Sequence, residues 1–316
     1  MGSGPWFLDC QVGIWILIFD FARTADRKKG QTMSAEVRYR FLLKGHGWLG
    51  LGIIGVSEIL LFSGVPFVRT YFTPLAWTGY ILFTDALVFR IKGTSLILRC
   101  PKEFVLMLPL SILFWLIFEF FNLYIQNWRY VGLPEALPLR WLGYAWAFAT
   151  IWPAILETAE AVEGSGRIAR QKTSTLKITQ GRLILSLAFG VFCLILPLIA
   201  SPGFAKYLAA PVWLGFIFLL DPLNYWMGSN SLFADLEKGN PRTFYSLLIS
   251  GLICGLLWEF WNYWAGAKWH YAVPILGDLK IFEMPVLGYL GFPPFAVECY
   301  VMYHFVRNVF GKKASF

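Results

Sequence analysis

The sequence predicts an all-α integral membrane protein, with eight transmembrane helices in two parallel four-helix repeats of the same orientation. Three observations predict it. The chain is 57% hydrophobic and only 15% charged, with a mean hydropathy of +0.58, whereas soluble domains carry about 25% charged residues. Apolar stretches of about 20 residues recur between polar or Pro/Gly-rich breaks. The first half of the chain also aligns with the second.

Residues 1–46 precede the first span. Within them, WFLDCQVGIWILIFDF (6–21) is short, contains Asp9 and lacks a basic leader, so it makes a poor signal peptide. Two readings stay open: an interfacial anchor, or sequence upstream of a true start at Met33. Spans are expected at 47–66, 73–91, 104–125 and 141–163, which with their loops form repeat 1 over 47–164. A polar linker, 165–182, leads to spans at 183–201, 209–228, 244–266 and 286–307, forming repeat 2 over 183–307. Residues 308–316 are a tail.

The charges orient the spans. With the N-terminal segment inside, 21 of the 27 Lys and Arg fall on the cytoplasmic side. The other side receives Arg69, Arg129, Arg140, Lys206, Lys268 and Lys280. Such asymmetry sets topology and puts both termini in the cytoplasm. The net charge of +8 then needs no nucleic acid partner. The five cysteines form no close pair and the three histidines are scattered, so no metal, cofactor or disulfide framework is expected. No phosphate loop of the form GxxxxGK(S/T) is present.

The duplication is specific. WTGYILFTDALVFRIKGTSL (77–96) aligns without gaps on WLGFIFLLDPLNYWMGSNSL (213–232), with seven of twenty positions identical, including Asp85 and Asp221. FEFFN (118–122) matches WEFWN (258–262), which pairs Glu119 with Glu259 and Asn122 with Asn262. WRYVGLP (128–134) resembles WHYAVP (269–274), and Pro153-x-x-x-Glu157 matches Pro294-x-x-x-Glu298. Four spans per repeat keep both copies in one orientation, related by an axis along the membrane normal.

Seven carboxylates fall within the expected spans: Glu58, Asp85, Glu119, Glu157, Asp221, Glu259 and Glu298. Each costs at least ~2.5 kcal/mol at the bilayer centre, so a pattern of three symmetric pairs requires a reason. Glu259 lies about 15 residues into its span, ~22 Å at 1.5 Å per residue, and places an outer tier with Glu119. Asp221 and Glu298 lie deeper. Asn122 and Asn262 read equally well as helix ties or as functional groups. Asp85 and Asp221 lean towards structure, because Asp221-Pro222 also reads as a kink whose freed carbonyl needs a partner. Glu259 and Glu298 lean towards function, because a carboxyl kept from water favours its neutral form and can act as an acid.

Trp128, Tyr130, Trp269 and Tyr271 read as an ordinary interfacial belt. Trp258, Trp261 and Trp264 around Glu259 fit a belt less well. An acid within an aromatic box is what protonation of an alkene needs, since the rings stabilise the resulting cation. Gly288, Gly291, Pro293 and Pro294 mark either a kink in the last span that lines a cavity or a late helix start.

Two segments, AGAKWHY (265–271) and GFPPFAVECY (291–300), resemble the membrane lycopene cyclase domain of the heterodimeric type. That family has small multi-span repeats and an aromatic Gly- and Trp-containing segment ahead of a Pro-acid-aromatic helix. WEF (258–260) is similar to the Trp-Glu-Phe of membrane terpenoid cyclases. The likeness spans about 40 residues with gaps. The family pattern has two adjacent Glu two residues after the Pro, and here the single Glu298 follows Pro294 by four.

The leading expectation is a membrane enzyme acting on an isoprenoid or similar lipid by acid/base chemistry. Glu259 and Glu298 are the expected proton-transfer groups and Asn262 orients Glu259. Trp258, Trp261, Phe295 and Asp221 are the expected substrate-facing residues. Glu119, Asn122, Asp85 and Glu157 are the pseudo-symmetric set. The richer aromatic setting, WEFWNYW against FEFFNLY, favours the second copy. A lipophilic small molecule and membrane lipids are the expected partners. A proton-coupled transporter or flippase suits the paired acids too, and a structural subunit of a membrane complex is a third possibility.

Overall fold

The computed structural model describes residues 43–166, 168 and 173–311. The apolar run at 6–21, Met33, most of residues 167–172 of the linker and the last five residues lie outside them. The described chain is mostly helical, in the order α1 (Gly45–Phe62), α2 (Pro66–Lys92), α3 (Leu96–Arg99), α4 (Pro101–Ile125), β1 (Trp128–Val131), α5 (Leu137–Ala149), α6 (Ile151–Gly164), α7 (Gln180–Ile199), α8 (Pro202–Ala205), α9 (Ala209–Trp226), α10 (Leu232–Glu237), α11 (Arg242–Trp264), β2 (Lys268–Tyr271), β3 (Lys280–Ile281), β4 (Met284–Pro285), a 3-10 helix (Val286–Gly291) and α12 (Phe292–Val309). Among these, α1, α2, α4, α7 and α11 are long and apolar enough to cross a membrane. Their outward faces carry exposed Leu49, Ile59, Leu113, Leu123, Leu185, Ile199 and Leu252, a surface that calls for lipid rather than water. This is a multi-pass integral membrane protein.

Proline and glycine set the helix boundaries. The stretch expected as one span at 141–163 is two helices meeting at Thr150, because Pro153 cannot bond the Ala149 carbonyl one turn back. The last span starts late: Val286–Gly291 is a 3-10 turn, and Pro293 and Pro294 sit in the first turn of α12, where an absent N–H leaves no bond unmade. Pro74 breaks the regular backbone of α2 at Tyr71 (φ −109°, ψ 22°). Pro222 stays inside α9. The carbonyl it frees, that of Phe218, accepts the Ser186 hydroxyl of α7 at 3.0 Å. Asp221 plays no part in satisfying it.

The pairs α1/α2 and α7/α9 cross at matched glycines. A Cβ on Gly50 would meet the Gly79 carbonyl at 2.3 Å, and one on Gly190 would meet the Leu219 nitrogen at 2.3 Å and the Gly215 carbonyl at 2.8 Å. Small residues let the backbones touch where no hydrophobic drive separates helix from lipid. Helices α6 and α11 pack together across the middle of the molecule.

The structure is not purely helical. β1 and β2 pair antiparallel, with Trp128 opposite Tyr271, Arg129 opposite His270 and Tyr130 opposite Trp269. β3 and β4 form a second small ribbon. Segments leaving helix ends still need partners for their backbone groups, and these strands supply them to each other.

At the opposite end, two ion pairs join the halves. Arg307 of α12 grips Glu103 of α4 through Nε at 2.5 Å and Nη2 at 2.6 Å, and the Tyr303 hydroxyl also donates to Glu103. Arg242 of α11 lies 3.9 Å from Glu163 of α6.

Candidate active site

Two carboxylate sites of like design flank the β1–β2 ribbon. On α11, Asn262 lies one turn beyond Glu259, so both face the same way. The Asn262 amide bonds Trp269 on both sides of its backbone: Nδ2 donates to its carbonyl at 2.9 Å and Oδ1 accepts its N–H at 3.0 Å. That clamp fixes β2 so that Tyr271 donates its hydroxyl to Glu259 Oε1 at 2.7 Å, and the Trp269 indole N–H reaches the same oxygen at 3.5 Å. On α4, Asn122 bonds the Trp128 carbonyl and N–H at 2.9 and 3.3 Å. Tyr130 donates to Glu119 Oε1 at 2.5 Å. The Trp115 and Trp128 indoles add bonds to the same oxygen at 2.9 and 3.1 Å.

The sites differ in detail. Glu259 is fully buried and its Oε2 has no hydrogen-bond partner. Glu119 is partly exposed and three donors converge on its Oε1. Burial first, and then the Glu259 carboxyl, push the Tyr271 hydroxyl well above the ordinary range, and burial followed by Glu119 does the same to Tyr130.

A partly open, mostly apolar cavity of about 520 Å³ lies between the halves, within the size range of ligand pockets. Trp77, Trp115, Trp128, Trp213, Trp258 and Trp269 wall it, with Tyr130, Tyr271 and Phe295. The rings pack edge and face: Trp258 lies 5.5 Å from Trp115 and 5.3 Å from Trp269, and Phe295 lies 5.3 Å from Trp213. The two glutamates stand one layer behind, each bonded by a tyrosine that lines the wall.

The other expected site residues separate. Trp258 and Phe295 line the cavity. Trp261 does not: it is buried against Trp77 and Tyr80, at 5.0 and 6.0 Å. Glu298 is fully buried one turn deeper than Phe295, where Oε1 accepts the Phe216 N–H at 3.2 Å. It shares no hydrogen bond with Glu259. Asp221 caps the chain entering α10, accepting the Leu232 and Phe233 N–H groups at 2.9 and 2.8 Å and the Ser231 hydroxyl at 3.2 Å. Asp85 does the same ahead of α3, taking the Ile97 N–H and the Ser95 hydroxyl, both at 2.8 Å, and it also bonds His46 at 3.0 Å. Glu157 is buried beside Asp85.

The residues that complete the sites are Tyr271, Trp269, Tyr130, Trp128 and Trp115. All but Trp115 belong to the two aromatic segments expected as a membrane belt. The repeated spacing was the available signal: each glutamate is followed by a Trp-x-Tyr, ending 11 residues on in one copy and 12 in the other. Among the described residues, no group of three or more His, Cys, Asp or Glu side chains is placed to hold a metal ion. No protein-family profile, curated protein or solved structure matches this chain.

Proposed function

We propose that this protein is a membrane enzyme that isomerises or cyclises an isoprenoid or similar lipid by proton transfer inside the aromatic cavity. The observation that carries this reading is that Tyr130 and Tyr271 both line one apolar cavity and each donates its hydroxyl to a glutamate behind it. Glu259, buried with an unpartnered oxygen, is the acid. With the Tyr271 hydroxyl turned from the carboxyl towards the substrate, the Glu259 proton passes to the Tyr271 oxygen as Tyr271 gives its own proton to an alkene carbon. The resulting cation sits among indole faces, which stabilise it without forming a bond. It then loses a proton to Tyr130, whose own proton passes to Glu119, and a new double bond forms. The substrate keeps its mass. Glu259 has lost one proton and Glu119 has gained one, and exchange with water restores both.

In this reading the chain spans the membrane eight times, with α5/α6, α9 and the 3-10 helix/α12 completing two parallel four-helix repeats and both termini cytoplasmic. The ribbon register supports the repeat. Position 128 corresponds to 269 and 130 to 271, so pairing Trp128 with Tyr271 and Tyr130 with Trp269 is the exchange a twofold axis through Arg129 and His270 would make.

The test compares the lipid-soluble metabolites of a host expressing wild type with those of one expressing Glu259→Gln, by untargeted mass spectrometry at matched expression. The expected result is a species of unchanged mass and shifted retention, present only with wild type. Glu119→Gln retains much of the turnover, because a carbocation sheds a proton far more readily than an alkene accepts one. Equal loss from both variants would overturn the division of roles. The likeness of the two sites also suits a proton-coupled carrier. That reading takes over if no lipid changes and vesicle uptake is lost on both substitutions.

A further inference from the structure

Proton transfer to an alkene requires no cation from the protein, yet three of the six basic residues assigned to the outer side line this cavity: Arg140, Lys206 and Lys268. Among the described residues, no carboxylate lines it. Lys268 is neutralised by Glu283 at 2.7 Å and donates to the Tyr263 carbonyl at 3.1 Å. The other two form no ion pair among the described residues.

Arg140, in the first turn of α5, uses Nε to bond the Pro134 carbonyl at 2.9 Å, which holds the side chain and leaves most of its donors uncommitted. Lys206 precedes α9, and its backbone carbonyl accepts the Asn127 amide at 3.0 Å. That bond ties the Lys206 loop to the segment between α4 and β1 at the rim of the cavity. One cation comes from each half of the chain. A guanidinium and an ammonium beside an apolar, indole-lined space select an anionic oxygen cluster at the head of an apolar chain.

We propose that the ligand of this cavity is an amphiphile with a phosphate-bearing head and an isoprenoid-like chain, its head held by Arg140 and Lys206 and its chain lying along Trp77, Trp213 and Trp258. The assignment names the substrate class of the site proposed above and rests on that reading of the cavity.

The test measures binding, without turnover, of dodecyl phosphate, dodecanol and inorganic phosphate to the full-length protein in phosphatidylcholine nanodiscs, followed by tryptophan fluorescence. Dodecyl phosphate is expected to bind tightest. Arg140→Gln or Lys206→Gln should each weaken it roughly tenfold, the value of one charged hydrogen bond, and leave dodecanol unaffected. Lys280→Gln, an exposed cation of the same end that does not line the cavity, should bind as wild type. Glu259→Gln should also bind as wild type, which separates this proposal from the enzyme reading. If dodecanol binds as well as dodecyl phosphate, or Lys280→Gln loses as much as Arg140→Gln, the head site is overturned. If inorganic phosphate binds as tightly as dodecyl phosphate, a lipid ligand is overturned.

Discussion

Tyr271 and Asn262 act on Glu259 in separable ways. Tyr271 lines the cavity and supplies the shortest hydrogen bond to the Glu259 carboxyl. Tyr271→Phe removes one oxygen and little packing, so turnover should fall about 10²-fold, the usual scale for losing a proton-transfer group. The melting temperature should move only slightly, as followed by thermal unfolding in detergent. Asn262 touches no part of the cavity. Asn262→Ala unpairs the backbone N–H and carbonyl of Trp269 in a half-buried setting, a loss of up to roughly 1–3 kcal/mol for each group left unsatisfied. It should lower the melting temperature first and turnover second. If Tyr271→Phe retained full turnover, the proton path through the wall would be wrong. The sequence makes the carboxylates legible because an acid in an apolar run has few explanations. It hides the tyrosines because a Trp or Tyr near a helix end already has an ordinary one, and only a turn of the chain back onto its own helix distinguishes the two. Asp221 misleads for the opposite reason: an acid beside a proline suggests a kink partner, while the N–H groups it serves lie 11 and 12 residues on.

Helix contacts divide into those that close by absence of a side chain and those that close by charge. At the Gly190 crossing, a methyl group meets backbone rather than a movable side chain. Gly190→Ala should therefore push α7 from α9 and destabilise by about 1–3 kcal/mol. Gly52→Ala, where nothing stands within 4 Å, should be neutral. The Glu103–Arg307 pair is buried and bidentate. Arg307→Met alone leaves a buried carboxylate and should destabilise by ~3–5 kcal/mol, whereas Glu103→Met together with Arg307→Met should recover most of that. Thermal melts of the single and double variants check this, and an additive double would rule out the pairing as the source. The long helices are plain in the sequence from apolar length, and Gly79 and Gly215 appear in its internal alignment. The break at Thr150 and the 3-10 entry to α12 are not, because a proline near the edge of an apolar run reads the same whether it kinks a helix or begins one.

In the proposed repeat, the β1–β2 ribbon links equivalent segments of the two halves, each at the end of a long helix. Their starts, at the N-terminal ends of α4 and α11, therefore share the opposite side, where Arg307 and Arg242 tie one half to the other. This constrains topology beyond what charge counting supplies, because an inverted repeat would carry the two strands to different membrane faces and leave them unable to pair. Labelling with a membrane-impermeant maleimide turns the constraint into an outcome. Arg129→Cys and Lys280→Cys should react in intact cells above the wild-type background, three of the four described cysteines being buried. Lys102→Cys and Lys238→Cys, both exposed, should react only after permeabilisation. If all four positions switch sides together, the orientation inverts and the repeat stands. If Lys102→Cys and Lys238→Cys report different sides, α4 and α11 run in opposite directions, and the two glutamates cannot flank one cavity as a matched pair.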